Sequence, residues 1–250
     1  MEFNANEIPR KYKKEFAFSY ALGPFPAFEA VKSAPENVLA VYLQEDFRDK
    51  EKLELLCRAK QIPVLYSAKA LRRISDKDIC YAAAVICKRT KPLENEPHVV
   101  LVNPSDMGNL GTILRTLLGF GIRNLAVIEP AADLFHPKVI RASMGALFHM
   151  RTENFPDFDS YRRRFADRDF FPFMLDGAIA LTPESCPHSS RFSLIFGNEA
   201  SGLPPEFRHV GQSLFIPQTE WVDSLNLAVA VGIGSYLFTQ NSAVCEGGES

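Results

Sequence analysis

The sequence predicts an α/β fold with a mostly parallel sheet, and three observations carry this prediction. Short apolar runs typical of buried strands alternate along the chain with segments whose apolar residues recur at helical spacing. Parallel strands need crossover connections, so this alternation favours a parallel sheet with helices on both faces. The polar stretch 88–97, which contains two prolines, interrupts the pattern and indicates a linker between a smaller and a larger domain.

The first part of the chain predicts a small α/β domain over residues 21–91, preceded by a basic segment. Residues 1–20 are polar and charged, and we interpret them as either a flexible arm or a first helix. The elements expected after them are a helix over 26–33, a strand over 38–43, a helix over 50–60, a strand over 62–66, a helix over 68–74 and a strand over 82–87.

The second part predicts a larger α/β domain over residues 98–242, followed by a flexible tail over 243–250. Strands are expected over 98–102, 124–128, 147–151, 170–175, 192–196 and 214–216. Helices are expected over 108–118, 137–142, 161–166 and 224–238, with Ser224 as the N-cap of the last one.

Composition excludes several classes of protein. The hydrophobic fraction of 46% and the charged fraction of 23% are typical of a globular domain, and no apolar run is long enough to span a bilayer. The N-terminus has no secretory signal pattern, so we predict a cytoplasmic protein. Five cysteines without a CxxC spacing indicate neither a disulfide framework nor a zinc site, and no metal is expected.

Charge is distributed unevenly between the two predicted domains. Residues 1–95 carry a net charge of +4, and residues 96–250 carry −6. A basic module joined to an acidic one suggests that the first half contacts a polyanion, and the alternative is an ordinary solvated surface. The residues expected to make this contact are Arg10, Lys11, Lys13, Lys14, Arg72, Arg73, Lys88 and Arg89.

Three short blocks lie at the ends of predicted strands. The first is Asn109–Arg115, the second is Gly197–Leu203, and the third combines Ile216-Pro217 with Ser224–Asn226. Open α/β sheets bind their ligands at the carboxyl ends of the strands, so these blocks are candidates for a functional site. No GxGxxG motif follows any predicted strand, which argues against a dinucleotide-dependent oxidoreductase.

In order and spacing, the three blocks resemble the motifs of the SpoU (TrmH-like) RNA 2′-O-ribose methyltransferases, a family of the knotted SPOUT superfamily. The resemblance covers residues 98–241, and the pattern of residues 20–90 is similar to the ribosomal-protein-like substrate-binding domain of many such enzymes. It implies a trefoil-knotted catalytic domain, S-adenosylmethionine as cofactor, and a homodimer with the active site near its interface.

The resemblance also implies roles for individual residues. The catalytic set would be Arg115, Asn109, Glu199, Ser224 and Asn226. The cofactor would be bound by Leu175, Asp176, Gly177, Phe196, Gly197, Asn198, Ile216 and Leu225. A guanidinium is protonated at any physiological pH, so we expect Arg115 to hold a phosphate and stabilise the developing ribose oxyanion instead of acting as a base.

The sequence therefore predicts S-adenosylmethionine-dependent 2′-O-ribose methylation of structured RNA, with ribosomal RNA favoured over transfer RNA. The sulfonium is already a good leaving group, so the reaction calls for no metal. The alternative is a non-catalytic RNA-binding or ribosome-assembly factor on the same scaffold. The target nucleotide and the choice between a housekeeping and a resistance role stay open. Trp221, the only tryptophan, either stacks on a base or packs at a dimer interface.

Overall fold

The computed structural model describes residues 3–4, 8–76 and 79–246, with side chains up to Asn241. Its strands are β1 (Phe18–Leu22), β2 (Val38–Leu43), β3 (Val64–Tyr66), β4 (Ala82–Cys87), β5 (His98–Val102), β6 (Asn124–Ile128), β7 (Arg151–Phe155), β8 (Asp169–Pro172), β9 (Ile179–Ala180), β10 (Phe192–Phe196) and β11 (Leu214–Phe215). Its α-helices are α1 (Pro24–Ser33), α2 (Lys50–Ala59), α3 (Ala68–Ile74), α4 (Met107–Gly119), α5 (Pro137–Ala142), α6 (Phe158–Arg164) and α7 (Leu227–Glu246). None of the helices in these described ranges is long and apolar enough to cross a membrane.

The chain forms two compact units, and the first of them is discontinuous in sequence. It combines residues 1–89 with residues 133–149, whereas the second combines residues 90–132 with 150–250. Helix α5 packs against β1, and Ser19 of β1 donates a hydrogen bond to the carbonyl oxygen of Phe135. The segment 133–149, which the sequence assigned to the larger domain, therefore completes the core of the smaller one.

The first unit is built on a four-stranded mixed sheet in the order β1-β4-β2-β3. Strand β4 is antiparallel to both β1 and β2, and β3 is parallel to β2. The prediction of a small α/β domain is confirmed. Its start is corrected, because Phe16, Phe18 and Tyr20 of the predicted arm are buried in the hydrophobic core. These aromatic residues are covered only through the pairing of β1 with the distant β4, which local sequence does not indicate.

The second unit is built on a five-stranded parallel sheet in the order β7-β6-β5-β10-β8. Strands β5, β6 and β10 are buried along their whole length, which explains their continuous apolar sequences. Strands β5 and β10 are neighbours although they are far apart in the chain. The segments that leave their carboxyl ends, which carry the first and second sequence blocks, are therefore brought side by side.

A buried polar cluster lies at the opposite, amino ends of these strands. His98 is fully buried, with Nδ1 2.8 Å from the Tyr161 hydroxyl and Nε2 2.7 Å from the carbonyl oxygen of Glu94. Burial, and then the charge of Arg168, lowers the pKa of His98 to about 3, so its imidazole is neutral. Arg168 donates to the carbonyl oxygen of Glu96 at 3.0 Å. The cluster thus fixes the linker against the start of β5.

Two element predictions in the second half are wrong. The strand expected over 147–151 is a 3-10 helix over Ala146–His149, and strand β7 starts only at Arg151. Strand β7 lies at the sheet edge, and only its residues Thr152 and Phe155 are buried, so it lacks the continuous apolar sequence of a buried strand. The apolar residues before it belong to the first unit. The last helix starts at Leu227, and Asn226 caps it by accepting from the amide of Ala228 at 2.9 Å.

The remaining predictions for the second half have mixed outcomes. Helix α7 continues to Glu246, so residues 243–246 of the expected tail are helical, and residues 247–250 lie outside the described residues. The α/β class, with a parallel five-stranded sheet after a small mixed-sheet domain, is confirmed. The trefoil knot that the resemblance implies stays a prediction.

Candidate active site

A cavity of about 460 Å³ lies at the carboxyl end of β10 in the second unit. This volume falls within the range of pockets that bind small molecules. Three segments line it, namely residues 173–176 after β8, residues 196–203 after β10, and residues between 215 and 230 that lead from β11 into α7. Its place at the end of parallel strands is the usual ligand position in an open α/β sheet.

Two stacked aromatic rings form one wall of the cavity. The rings of Phe173 and Phe196 lie 4.2 Å apart with an interplanar angle of 22°. Helix α7 packs against them at Gly234, where a β-carbon would lie 2.7 Å from the Phe173 ring. A glycine at this position lets the helix approach the rings closely, and the stack is held in place as a flat apolar surface.

The loop after β10 can only be built with glycine at position 197. A β-carbon there would lie 2.1 Å from the carbonyl carbon of Gly202. Asn198 and Gly202 exchange backbone hydrogen bonds at 3.2 and 2.9 Å, and Gly202 has a φ of +68°. The loop therefore folds back on itself, which exposes its backbone to the cavity.

Glu199 connects the second sequence block to the first. One carboxylate oxygen accepts from the backbone amide and hydroxyl of Ser105 at 3.0 and 2.8 Å. The other accepts from the amide of Asp106 at 3.0 Å and from the Asn109 side chain at 3.4 Å. Burial alone would raise the pKa of Glu199, but these hydrogen bonds outweigh it and lower the pKa below its usual value. Glu199 is thus a charged clamp on the amino end of α4.

Asparagine side chains extend this connection to the third block. The side-chain amide of Asn226 donates to Asn109 Oδ1 at 3.0 Å, which links the starts of α7 and α4. The side-chain amide of Asn198 donates to the carbonyl oxygen of Asn103 at 2.8 Å. Asn103 follows β5 and has a φ of +53°, a conformation that asparagine tolerates better than most residues. The three blocks therefore form one hydrogen-bonded assembly.

Most of the predicted site residues gather at the cavity. Those that line it are Leu175, Asp176, Phe196, Gly197, Asn198, Glu199, Ile216, Ser224 and Leu225. Gly177 lies just behind the lining, where a β-carbon would collide with the backbone of Leu214. Asn109 and Asn226 do not line the cavity but support its rim through their hydrogen bonds.

Arg115 is not brought to the cavity. It lies in the middle of α4 with an exposed side chain, and within the described part of the chain no hydrogen bond or ion pair engages its guanidinium. Asn109 lies inside the same helix, six residues earlier, so the two side chains point to different faces. The Arg115 side chain is therefore available for a contact with another molecule.

The eight basic residues predicted to contact RNA all lie in the first unit. Lys88 is the least accessible, because it donates to the carbonyl oxygen of Lys14, lies 3.5 Å from Asp133 and covers the ring of Tyr12. The other seven are exposed, namely Arg10, Lys11, Lys13, Lys14, Arg72, Arg73 and Arg89. Lys11 pairs with Asp76, just after α3, at 2.6 Å.

Two groups of residues that the fold places near the predicted ones were not predicted from the sequence. Lys11, and then Lys138 and Arg141 of α5, lower the pKa of Asp76, so α5 adds two cations to the basic surface of the first unit. Lys138 and Arg141 were missed because the segment that contains them was predicted to belong to the larger domain. Gln218 and Asp223 line the cavity, but both sit in a loop whose path no local pattern predicts. Over the described residues no group of three or more His, Cys, Asp or Glu side chains is placed to hold a metal.

Comparison with known families identifies this arrangement. A family model described as the SpoU rRNA methylase family matches residues 96–236. The chain belongs to this family. The matched stretch contains all three sequence blocks and every residue that lines the cavity.

Individual proteins resemble this SpoU chain over different lengths. Ribosomal RNA small subunit methyltransferase G 2 of Syntrophobacter fumaroxidans is 31% identical over 144 residues, which cover 58% of this chain but only 27% of that protein. The 23S rRNA (guanosine(2553)-2′-O)-methyltransferase RlmP of Bacillus subtilis is 26% identical over 83% of each chain. The crystal structure of the AdoMet-bound rRNA methyltransferase from Sinorhizobium meliloti has a TM-score of 0.75, with 26% identity over 88% of this chain and 86% of that one.

Proposed function

We propose that this chain transfers a methyl group from S-adenosylmethionine to the 2′-hydroxyl of a nucleotide in ribosomal RNA. The observation that carries the proposal is the assembly of the three sequence blocks around one cavity, in a chain that belongs to the SpoU rRNA methylase family. The similarity to RlmP, which is named for 2′-O-methylation of 23S rRNA, extends over 83% of both chains and supports the same chemistry here.

The cavity suits S-adenosylmethionine. The Phe173–Phe196 stack and the side chains of Ile216 and Leu225 offer flat apolar surface for an adenine, and the loop at Gly197 offers backbone groups at close range. The cofactor supplies an electrophilic methyl group on a sulfonium that leaves readily. The protein's task is therefore to hold that group and the ribose in a productive geometry.

Glu199, Asn109 and Asn226 serve in this proposal as positioning residues. The Glu199 carboxylate already accepts hydrogen bonds at both oxygens, and its lowered pKa makes it a weak base. Its contribution is to fix the amino end of α4 against the loop after β10. Ser224 lines the cavity beside this assembly, and in the proposed mechanism its hydroxyl orients the ribose.

Arg115 supplies the electrostatic part of the proposed mechanism. Its guanidinium stays protonated, so it binds a phosphate of the substrate and stabilises the oxyanion that develops on the ribose. Because the side chain lies on α4 and points away from Asn109, the contact requires RNA or a second protomer to bring the reacting ribose to it.

A homodimer would meet that requirement. Helices α4 and α7 pack together, with the rings of Phe120 and Tyr236 5.7 Å apart. On α7, Val229 and Tyr236 are each about half exposed and two turns apart, so they form an apolar stripe on one face. Burying this stripe against a second copy would bring Arg115, on the adjoining helix, to the interface.

The first unit provides the proposed RNA-binding surface. Arg72 and Arg73 of α3, the basic residues before β1, and Lys138 and Arg141 of α5 give it cations suited to phosphates. A separate basic domain suits a large structured target, and this favours ribosomal over transfer RNA. A cytoplasmic location, as expected from the sequence, is consistent with a ribosomal substrate.

Methyl transfer to defined RNAs tests the proposal. Labelled S-adenosylmethionine is incubated with the protein and unmodified ribosomal RNA or, separately, transfer RNA, and the product is digested to nucleosides. We expect label in ribosomal RNA as a 2′-O-methylnucleoside, and loss of at least about a hundredfold in rate with Arg115→Ala, the scale of removing a transition-state charge contact.

Arg115→Lys and Arg123→Ala are the matched controls. Lysine keeps the charge without the bidentate geometry, so we expect it to recover only part of the rate. Arg123 lies outside the three blocks, just before β6, so its replacement should leave the rate unchanged. Label that appears on a base instead of the ribose, or only in transfer RNA, would contradict the proposal.

A further inference from the structure

Every ionisable side chain that lines the cavity is acidic. The lining contains Asp176, Glu199 and Asp223, and it contains no lysine, arginine or histidine. A small cavity with this composition favours a ligand that carries positive charge.

Two of the three carboxylates are already engaged by other groups of the protein. Asp176 forms an ion pair with Arg208. Glu199 accepts from the amides of Ser105 and Asp106. Asp176 is thus already paired with a cation, and four hydrogen bonds, including those from the Ser105 hydroxyl and the Asn109 side chain, fill the acceptor sites of Glu199.

Asp223 differs from both. Its loop is held by a hydrogen bond from the Gln218 side chain to the Asp223 carbonyl oxygen at 3.4 Å, but within the described residues the Asp223 carboxylate has no hydrogen bond or ion pair. It lines the cavity immediately before Ser224 and Leu225. Asp223 is therefore the uncommitted negative charge of the site.

We propose that Asp223 binds the α-ammonium group of S-adenosylmethionine. This inference rests on the proposed function, because it concerns how the same cavity recognises its cofactor. The cofactor carries two positive groups, the sulfonium and the ammonium. A carboxylate against the ammonium adds a charge-assisted hydrogen bond and does not oppose the chemistry.

The course of the reaction decides between the two positive groups. The sulfonium loses its charge as the methyl group leaves, so a carboxylate beside it would stabilise the ground state more than the transition state and slow the transfer. The ammonium keeps its charge throughout. An acidic residue is consequently useful at the ammonium and costly at the sulfonium.

Calorimetric titration of three ligands tests the inference. S-adenosylmethionine carries both cations, S-adenosylhomocysteine carries only the ammonium, and 5′-methylthioadenosine lacks the whole amino-acid portion. For Asp223→Asn we expect both amino-acid-bearing ligands to bind about 3- to 30-fold more weakly, the range expected for losing a hydrogen bond to a charged group near solvent. Binding of 5′-methylthioadenosine should not change, and KM for S-adenosylmethionine should rise at constant kcat.

Glu220→Gln is the matched control. It removes the same charge from the same loop, at an exposed position that does not line the cavity, and it should leave all three affinities unchanged. Asp223→Glu, which keeps the charge, should restore part of the affinity.

Three results would overturn the inference. The first is unchanged binding of all ligands by Asp223→Asn, and the second is equal weakening of all three, which would indicate a collapsed loop. The third is weakening of S-adenosylmethionine alone, which would place the carboxylate at the sulfonium. Failure of the unaltered protein to bind S-adenosylmethionine would instead refute the proposed function itself, and the inference with it.

Discussion

Glu199 is the side chain on which the geometry of the candidate site depends most directly. It accepts from two consecutive backbone amides, of Ser105 and Asp106, and from the side chain of Asn109. A carboxylate can satisfy such donors at both oxygens at once, whereas an amide of the same size has one acceptor and presents two hydrogens. The identity of this residue therefore fixes how the loop after β5 meets the loop after β10.

Glu199→Gln should separate this positioning role from general stability. We expect a loss of about 1 kcal/mol in the free energy of unfolding, because the exposed amides of Ser105 and Asp106 lose a charged acceptor. The methylation rate should fall by about tenfold or more, because α4 is no longer clamped. Thermal unfolding and methyl transfer measure the two effects, with Glu206→Gln, an exposed acidic residue in the turn after the same loop, as control. Full activity in Glu199→Gln would contradict the clamp.

A second prediction at the scale of single residues concerns the substitution of Gly197. Gly197→Ala would place a β-carbon 2.1 Å from the carbonyl carbon of Gly202, so the loop must move. We expect a loss of about 3 kcal/mol in unfolding free energy, together with weakened cofactor binding. Gly119→Ala is the control, because no atom lies within 4 Å of its β-carbon and it ends α4, where alanine should be neutral or stabilising. Denaturant unfolding distinguishes the two variants.

The site residues differ in how far the sequence alone could locate them. Phe196 and Gly197 could be placed because a strongly apolar strand runs directly into them, and the end of such a strand is where ligands bind. Asp223 carries no comparable signal, since its position depends on the path of the loop between β11 and α7. The separation of Arg115 from Asn109 was equally hard to predict, because it depends on Asn109 lying inside α4 and not before it.

At the scale of elements, α7 is tied to α4 through the residue that caps it. Asn226 accepts from the amide of Ala228 with its oxygen and donates to Asn109 with its nitrogen. One amide side chain thus starts a helix and connects two sequence blocks. The expected cap at Ser224 was wrong because serine and asparagine are both good N-caps, and the sequence does not say which one the helix uses.

Asn226→Asp should keep the cap on α7 and remove the hydrogen bond to Asn109. Aspartate is an equally good N-cap, so we expect the melting temperature to stay close to that of the unaltered protein. It cannot donate to Asn109, and if the Asn109 amide rotated to donate instead, its oxygen would face Glu199, so activity should fall by about tenfold or more. Asn226→Ala should lose activity and also about 1 kcal/mol of stability. Calorimetry and methyl transfer separate these results, and unimpaired activity of Asn226→Asp would refute the coupling.

The buried His98 at the start of β5 predicts that the stability of the protein depends on pH. His98 has a pKa of about 3 in the folded protein, against an ordinary histidine pKa of 6.5, so the unfolded chain binds more protons between these values. Stability is complete above about pH 6.5 and falls as the pH drops towards 3, by up to about 1.4 kcal/mol per pH unit. His98→Gln should flatten this dependence between pH 7 and 5, whereas the exposed His188→Gln should not. Urea unfolding at several pH values measures it, and equal slopes in all three proteins would contradict the assignment.

Strands and helices were predictable where their own residues decide their burial. The apolar runs of β2, β4, β5, β6 and β10 predicted these strands to the residue, because each is covered on both faces. Strand β1 was not predicted, because Phe18 and Tyr20 become buried only when β1 pairs with β4, which lies far along the chain. Strand β7 was not predicted either, because it lies at the sheet edge and four of its five residues are polar.

At the scale of the whole molecule, the proposed dimer depends on the stripe on α7. Tyr236→Glu would place a charge in the proposed interface, so we expect the protein to sediment as a monomer and to lose most of its methylation activity. Leu55→Glu is the control, because it introduces the same charge at an exposed leucine on α2, and it should leave the oligomeric state unchanged. Analytical ultracentrifugation measures the oligomeric state of all three proteins. An unaltered protein that is monomeric at all concentrations would refute the dimer.

The discontinuous first unit has a consequence for synthesis of the chain on the ribosome. Strand β1 needs α5 as a covering layer, and α5 belongs to a segment that ends at residue 149, whereas the first continuous stretch ends at residue 89. At about 5–20 residues per second, those 60 additional residues take roughly 3–12 s to translate. During that interval one side of β1 is exposed on the nascent chain, while β5 and β6 of the other unit have already been made. The small domain therefore cannot finish folding before β5 and β6 of the larger one have been synthesised.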